Sequence, residues 1–116
     1  MKDYRQWIVW QKSMQLVEGV YKLTKVFPQH ELHGLASQMQ RCAVSIPSNI
    51  AEGYARVSKK DQHHFYRISF ASSRELETQL EIARRLKYNS EIEIKKNEEL
   101  LLEVIKMLSK MVFPSY

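Results

Sequence analysis

Apolar residues recur at steps of three and four along almost the whole chain, a period that fits helices and disfavours strands. In the first segment the series is Trp10, Met14, Val17, Tyr21 and Phe27, with Val9, Leu16, Val20 and Leu23 beside it. The second runs Leu35, Met39, Cys42, Ile46, Ile50 and Gly53; the third runs Phe65, Ile68, Ser72, Leu76, Leu80, Ala83 and Leu86. The fourth gives Leu100 or Leu101, then Val104, Leu108 and Met111. Period-two alternation is absent over any useful stretch. Three glycines and three prolines are too few for a sandwich or barrel that turns every ten residues or so. The abundance of Leu, Glu, Lys, Gln, Met and Arg favours helix on propensity alone.

The segments are separated by helix punctuation. Phe27-Pro28 ends the first, because the residue before a proline is pushed out of the α region. Gly53 is a natural close for the second. Ser58 followed by Asp61 opens the third in the manner of a capping box, and Asn89-Ser90 followed by Glu93 repeats that logic for the fourth. The third helix then spans about 28 residues, or about 42 Å at 1.5 Å per residue. Short loops between long helices force antiparallel neighbours, so the expected fold is an all-α, antiparallel up-down-up-down four-helix bundle. Residues 1–116 are one domain's worth of chain. Pro47 falls inside the second series, where it removes the backbone bond to the Ala43 carbonyl. A continuous helix kinked at Pro47 is expected, since the step from Cys42 through Ile46 to Ile50 keeps its phase; a break near Ser45 is the alternative.

Composition narrows the function classes. The net charge is +5, and the excess lies in the first two-thirds: residues 1–30 carry five basic and two acidic groups, residues 31–74 six and three, and residues 75–116 seven and eight. A modest basic surplus points toward a polyanionic partner. The single cysteine, Cys42, excludes an internal disulfide and sits at apolar helical spacing, as a buried thiol would. The polar start Met1-Lys2-Asp3-Tyr4-Arg5-Gln6 carries no signal-peptide core, and no apolar run approaches the roughly 20 residues that span a bilayer. The expected setting is cytoplasmic, without a membrane. The four histidines fall in no metal-ligand pattern, and neither a phosphate loop nor a nucleophile elbow is present, so no cofactor, metal or enzymatic activity is expected.

Three surfaces stand out. On a wheel of about 100° per residue, Arg41, Ser45, Asn49, Glu52 and Arg56 form a narrow polar stripe bordering the core of helix two. It reads as a network of helix-surface pairs, with recognition of an anion or a neighbouring subunit as the sharper alternative. Helix three carries Lys60, His64, Arg67 and Arg74 opposite its core, with Lys59 and His63 adjoining and Tyr66 and Phe70 at the edge. Cations beside aromatic rings are what a sequence-tolerant nucleic-acid binder needs, and Arg41, Arg56, Lys59, Lys60, Arg67 and Arg74 are the candidate contacts. The alternative is a solvated helix face, diluted by Glu75, Glu77 and Glu81. In helix four, ten of the fourteen residues from Leu100 to Phe113 are apolar, whereas one core stripe needs about three positions in seven. Helix one shows a similar excess through Trp7, Ile8, Val9 and Trp10. Such surplus implies self-association, with Trp7, Trp10, Tyr66, Phe70, Leu102, Ile105 and Phe113 as candidate interface residues.

Several stretches together resemble the 23S rRNA intervening-sequence protein family, also called the four-helix bundle protein family. They are Val9-Trp10-Gln11-Lys12, Tyr21-Lys22-Leu23-Thr24, Phe27-Pro28, Gly34-Leu35 with Gln38, and above all Arg41-Cys42-Ala43-Val44-Ser45-Ile46-Pro47-Ser48-Asn49-Ile50-Ala51-Glu52-Gly53 followed by Arg56. Phe65, Ser73 and Glu75-Leu76-Glu77-Thr78-Gln79-Leu80 complete the pattern. The resemblance implies a four-helix bundle that assembles into homopentamers and has no enzymatic activity. Some members are encoded inside insertions in bacterial 23S rRNA genes. The family also resembles the accessory protein of diversity-generating retroelements, a basic pentameric barrel that binds a reverse transcriptase and nucleic acid. RNA or single-stranded DNA, a protein partner such as a reverse transcriptase, and further copies of the chain are therefore the implied partners; an adaptor that holds a protein without touching nucleic acid is the alternative. Two positions depart from the pattern. The family's usual second arginine, after Arg41, is Cys42 here, which removes a positive charge, and a common glycine near position 72 is Ser72.

Overall fold

Ser58 and Ser90 each stand in extended backbone and accept a hydrogen bond on the side-chain oxygen, from the N–H of Asp61 at 3.1 Å and of Glu93 at 3.3 Å. These caps open α3 (Lys59–Arg85) and α4 (Glu91–Val112). The computed structural model describes residues 3–113 and places two further helices before them, α1 (Ile8–Lys25) and α2 (Leu35–Ala55). Short 3-10 turns precede each, at Tyr4–Gln6 and Gln29–Glu31, and the described residues contain no strand.

The start of α2 has a less local cap. Its N-cap is Gly34, which has no side chain to offer, and the orphan N–H of Leu35 donates instead to Glu31 Oε1 at 3.1 Å. A Cβ on Gly34 would stand 2.7 Å from that oxygen, so the glycine makes room for the cap. The other carboxylate oxygen of Glu31 accepts from the Tyr88 hydroxyl at 2.8 Å, which ties the α1–α2 connection to the α3–α4 connection.

Each helix packs on two others: α1 on α2 and α4, α3 on α2 and α4. Across each pair the residue numbers run in opposite senses. Gln40 meets Thr24 while Tyr54 meets Trp7; Cys42 meets Ser72 while Gly53 meets Tyr66; Arg84 meets Glu98 while Phe70 meets Phe113. The α2–α3 seam is the most extensive and is lined by small residues. Ala43, Ser69 and Ser73 are fully buried there, and the Ser69 hydroxyl donates to the Ile46 carbonyl at 2.8 Å.

The core is aliphatic, built on Leu16, Leu23, Met39, Ile46, Ile50, Leu76, Leu80, Ile94, Leu101 and Leu108, all fully buried. In α2 the expected series is buried from Met39 through Cys42, Ile46, Ile50 and Gly53, while its first member, Leu35, is half-buried. In α1 the series is exchanged: Val9, Leu16, Val20 and Leu23 are buried, with Ser13 between them, whereas Met14 and Tyr21 are 39% and 46% exposed. Helix α1 has two apolar faces, and the core took the one carrying the branched aliphatics.

One further expectation is corrected, and one alternative falls away. Gly53 lies inside α2, not at its end, because the helix continues to Ala55. Its bare Cα lets the Tyr66 ring pass at a distance that a Cβ would forbid. Helix α2 is also uninterrupted from Leu35 to Ala55 with Pro47 inside it, so no break falls near Ser45.

Candidate nucleic-acid and assembly surfaces

The polar stripe of α2 is largely satisfied by its own neighbours. Ser45 Oγ lies 2.8 Å from Ser72 Oγ, and Asn49 Nδ2 donates to Ser45 Oγ at 2.9 Å and to the Ser45 carbonyl at 2.8 Å. Glu52 and Arg56 pair one turn apart at 2.9 Å, and the Arg56 guanidinium sits over the Phe65 ring, 4.6 Å from its centroid. Arg41 differs. It is exposed, makes no ion pair among the described residues, and lines a hollow of about 360 Å³ with Gln38, Cys42, Ser45, Ser72 and Glu75. The Cys42 thiol donates to the Ser72 carbonyl at 2.9 Å. Burial, and then the nearby Glu75 carboxylate, push that thiol up to about 12, so it is a protonated, weakly nucleophilic group at neutral pH.

The six basic candidates do not form one patch. Arg41 stands on the α2 side of α3, beside Ser72 and Glu75. Arg74 stands on the other side, pairing with Glu77 at 3.1 Å and lying 5.9 Å from the centroid of Phe70, which itself meets Phe113 of α4. Arg56 is committed to Glu52 and Phe65. Lys59, Lys60 and Arg67 remain, all exposed and without an acidic partner among the described residues. Lys60, Arg67 and Arg74 are spaced by seven, which aligns them as a ridge along α3 about 21 Å long. The carboxyl-terminal half of α3 carries its cations differently. Arg84 is held by Glu81 at 2.6 Å, Glu98 at 2.9 Å and Glu91 at 3.1 Å, and those bonds, led by Glu98, raise its already high pKa; Arg85 also takes Glu81.

Of the interface candidates, Tyr66 and Ile105 are buried within the chain, at 7% and 8% exposure, so they are not available to a partner. Tyr66 fills the space above Gly53, and burial holds its hydroxyl above the ordinary pKa. Trp7 and Trp10 are half-buried in an aromatic cluster with Tyr4 and Tyr54, with ring centroids 5.4–5.5 Å apart. Phe70 is half-buried against Phe113 at 5.4 Å, while Leu102 and Phe113 are 47% and 60% exposed. The structure adds a surface that the sequence reading missed: an apolar groove of about 340 Å³ between α1 and α2, lined by Tyr4, Trp10, Met14, Val17, Val44 and Pro47. Val44, off the α2 core series, was the available signal; Met14 was read as core.

Among the described residues no helix is long and apolar enough to cross a membrane, and no three His, Cys, Asp or Glu side chains are grouped as a metal site would need. The fold and these surfaces define an all-α, four-helix protein with an open apolar groove and a basic ridge on separate faces. The model of the 23S rRNA-intervening sequence protein family matches residues 5–110, and the chain belongs to that family. No curated protein matches the sequence. Among solved structures, a protein of unknown function of the S23 ribosomal protein family from Bacteroides thetaiotaomicron is similar over 91% of this chain and 99% of its own, with a TM-score of 0.84. At 22% identity that likeness speaks for the fold.

Proposed function

We propose that the protein is a non-catalytic, cytoplasmic homo-oligomer, pentameric as its family resemblance implies, that offers the α3 ridge to RNA or single-stranded DNA. In this reading the helices alternate up-down-up-down, as the opposed residue numbering across each pair supports, and α2 bends at Pro47. The observation that carries the nucleic-acid part is the set of uncommitted cations on α3, Lys59, Lys60 and Arg67, on a chain whose arginines are mostly held by carboxylates. A cation without a protein partner contributes its full charge to a phosphate backbone, and release of condensed counterions then drives binding.

Mobility-shift titration against a structured RNA and a single-stranded DNA at two salt concentrations tests this. Binding should weaken with salt, and a K60E/R67E variant should lower the salt slope by about 2 as well as the affinity. Absence of binding, or binding indifferent to salt, removes nucleic acid from the function. The groove between α1 and α2 supports the assembly part, and it equally suits the adaptor reading, in which the oligomer holds a protein and the basic ridge is only solvated.

A further inference from the structure

Four large aliphatic side chains gather at one end of the bundle. Val26 follows α1, Leu32 lies in the α1–α2 connection, Leu86 ends α3 and Ile92 opens α4, with exposures of 65%, 57%, 51% and 79%. The two connections touch through Tyr88, which meets Phe27 at 5.0 Å and Glu31 at 2.8 Å, so these residues share one end of a body measuring 44 × 27 × 22 Å. Aliphatic groups exposed together in this way mark a contact.

The same end carries both a projection and a recess. Ile92, in the first turn of α4, is the most exposed of the four. The recess is a hollow of about 360 Å³ with Lys25 on its rim, walls that include Phe27, Pro28, Leu32 and Ala36, and the Gln40–Thr24 hydrogen bond of 3.0 Å as its polar side. Ile92 does not line that hollow, so the chain does not fill its recess with its own projection. Charge follows the same division. Glu93, beside Ile92, is exposed without a basic partner among the described residues, and Lys25 is exposed without an acidic one. The other carboxylates nearby are committed, Glu31 to Leu35 and Tyr88, and Glu91 to Arg84.

We infer that this end is a contact between two copies of the chain, related by a two-fold axis. Ile92 of each copy seats in the hollow of the other, and Glu93 of each faces Lys25 of the other. A surface that bears the projection and the recess together is self-complementary, which a two-fold contact requires. An acidic peptide or an anionic membrane would meet Lys25 but also the free Glu93; a second copy satisfies both signs at once. Leu102 of a second copy, with the uncommitted Glu99 near it, would fill the hollow but leave Ile92 and Glu93 of the receiving chain uncovered. An end of 27 × 22 Å is no larger than the roughly 800 Å² that each partner gives to a standard interface. One pair of ends therefore holds weakly and gains when copies already joined present several ends together. For that strength the contact rests on the assembly proposed above. It shares no residue with the groove between α1 and α2, and Lys60 of the basic ridge lies about 39 Å from Leu86 along α3.

Sedimentation velocity over a wide range of concentration tests it. The native assembly is expected to hold an even number of chains, because every end takes one partner end. I92D and L32D should each halve the native mass, with helix content unchanged by circular dichroism. K25E and E93K should each weaken the pairing, and K25E/E93K should restore it, since exchanging the signs keeps the facing charges opposite. In M14E/V44E, whose groove is blocked, the ends should still pair as a chain–dimer equilibrium that shifts to dimer with concentration. An odd number of chains in the native assembly, a mass unchanged in I92D, or no rescue in K25E/E93K overturns the inference. A native assembly that M14E/V44E dissociates and I92D leaves whole overturns the end contact alone, while a lone chain at every concentration overturns it together with the assembly. Nucleic-acid binding lost in K60E/R67E at unchanged mass reads the ridge separately.

Discussion

Two single residues in this chain hold positions that their local propensity argues against, and each has a distinct physical reason. Gly53 sits in the middle of a helical turn, where alanine is ordinarily better by up to about 1 kcal/mol. Here the added methyl would drive into the Tyr66 ring and approach the Gln62 carbonyl at 3.1 Å. Gly53→Ala is therefore expected to destabilise by about 1–3 kcal/mol, as overpacking does, read as a lower midpoint in urea at unchanged slope. Lys87 is the opposite case. Its left-handed backbone strains a residue with a Cβ, so Lys87→Gly should stabilise by about 1 kcal/mol and raise Tm by about 4 °C in a calorimetric scan. No stability gain would mean that the lysine side chain offsets its own strain. Gly53 was legible as a glycine with a purpose, but the purpose was misread. In the sequence a glycine after an apolar run looks like a stop, and only the packing of α3 shows that it is a passage for a ring 13 positions later.

Among the elements, α3 and α4 were the most legible because their start signals are self-contained: a serine and a backbone N–H three residues on need nothing else from the fold. Helix α2 begins with a signal that no local rule supplies, since Glu31 reaches forward to Leu35 while Tyr88, 57 positions away, steadies the same carboxylate. This cap makes a pH-dependent prediction. The Leu35 N–H first, and then the Tyr88 hydroxyl, hold Glu31 below its ordinary value of 4.5. A depressed carboxylate contributes stability that is complete above that ordinary value and fades as pH falls through the lower folded value. Stability measured in urea should decline below about pH 4.5, and Glu31→Gln, which keeps an acceptor for Leu35, should flatten that part of the profile. An unchanged slope in the variant would assign the acid sensitivity to other carboxylates, Glu81 among them, which Arg85 and Arg84 also hold low. Helix α1 was the least legible element. With apolar residues on two faces its period identifies the helix but not its rotation, and the choice between the Met14 and Leu16 faces is made by what α2 and α4 offer it.

At the scale of the molecule, the face that α1 turned away from the core lies against the α1–α2 groove, and that arrangement decides how copies would meet. A groove on one side and the exposed Leu102 and Phe113 on α4 are different surfaces, so a contact joining them is head-to-tail and closes into a ring only if its rotation allows. M14E/V44E, at two positions each 39% exposed, should leave the fold intact and reduce the mass seen by sedimentation velocity toward that of one chain. A native mass unchanged by both charges would remove the groove from any contact between copies, and a wild-type mass of one chain would remove the proposed assembly. The buried sulfur of Cys42 has a practical bearing on such measurements. Buried and pushed up to about 12, that thiol is protonated at neutral pH and should react only slowly with maleimides in the native protein. Val57, which is fully exposed between α2 and α3, can then be replaced by a cysteine that takes a dye on each chain against little background. Stepwise photobleaching of single particles labelled in that way would count the chains directly, and the same dye would sense a nucleic acid arriving beside Lys59 and Lys60.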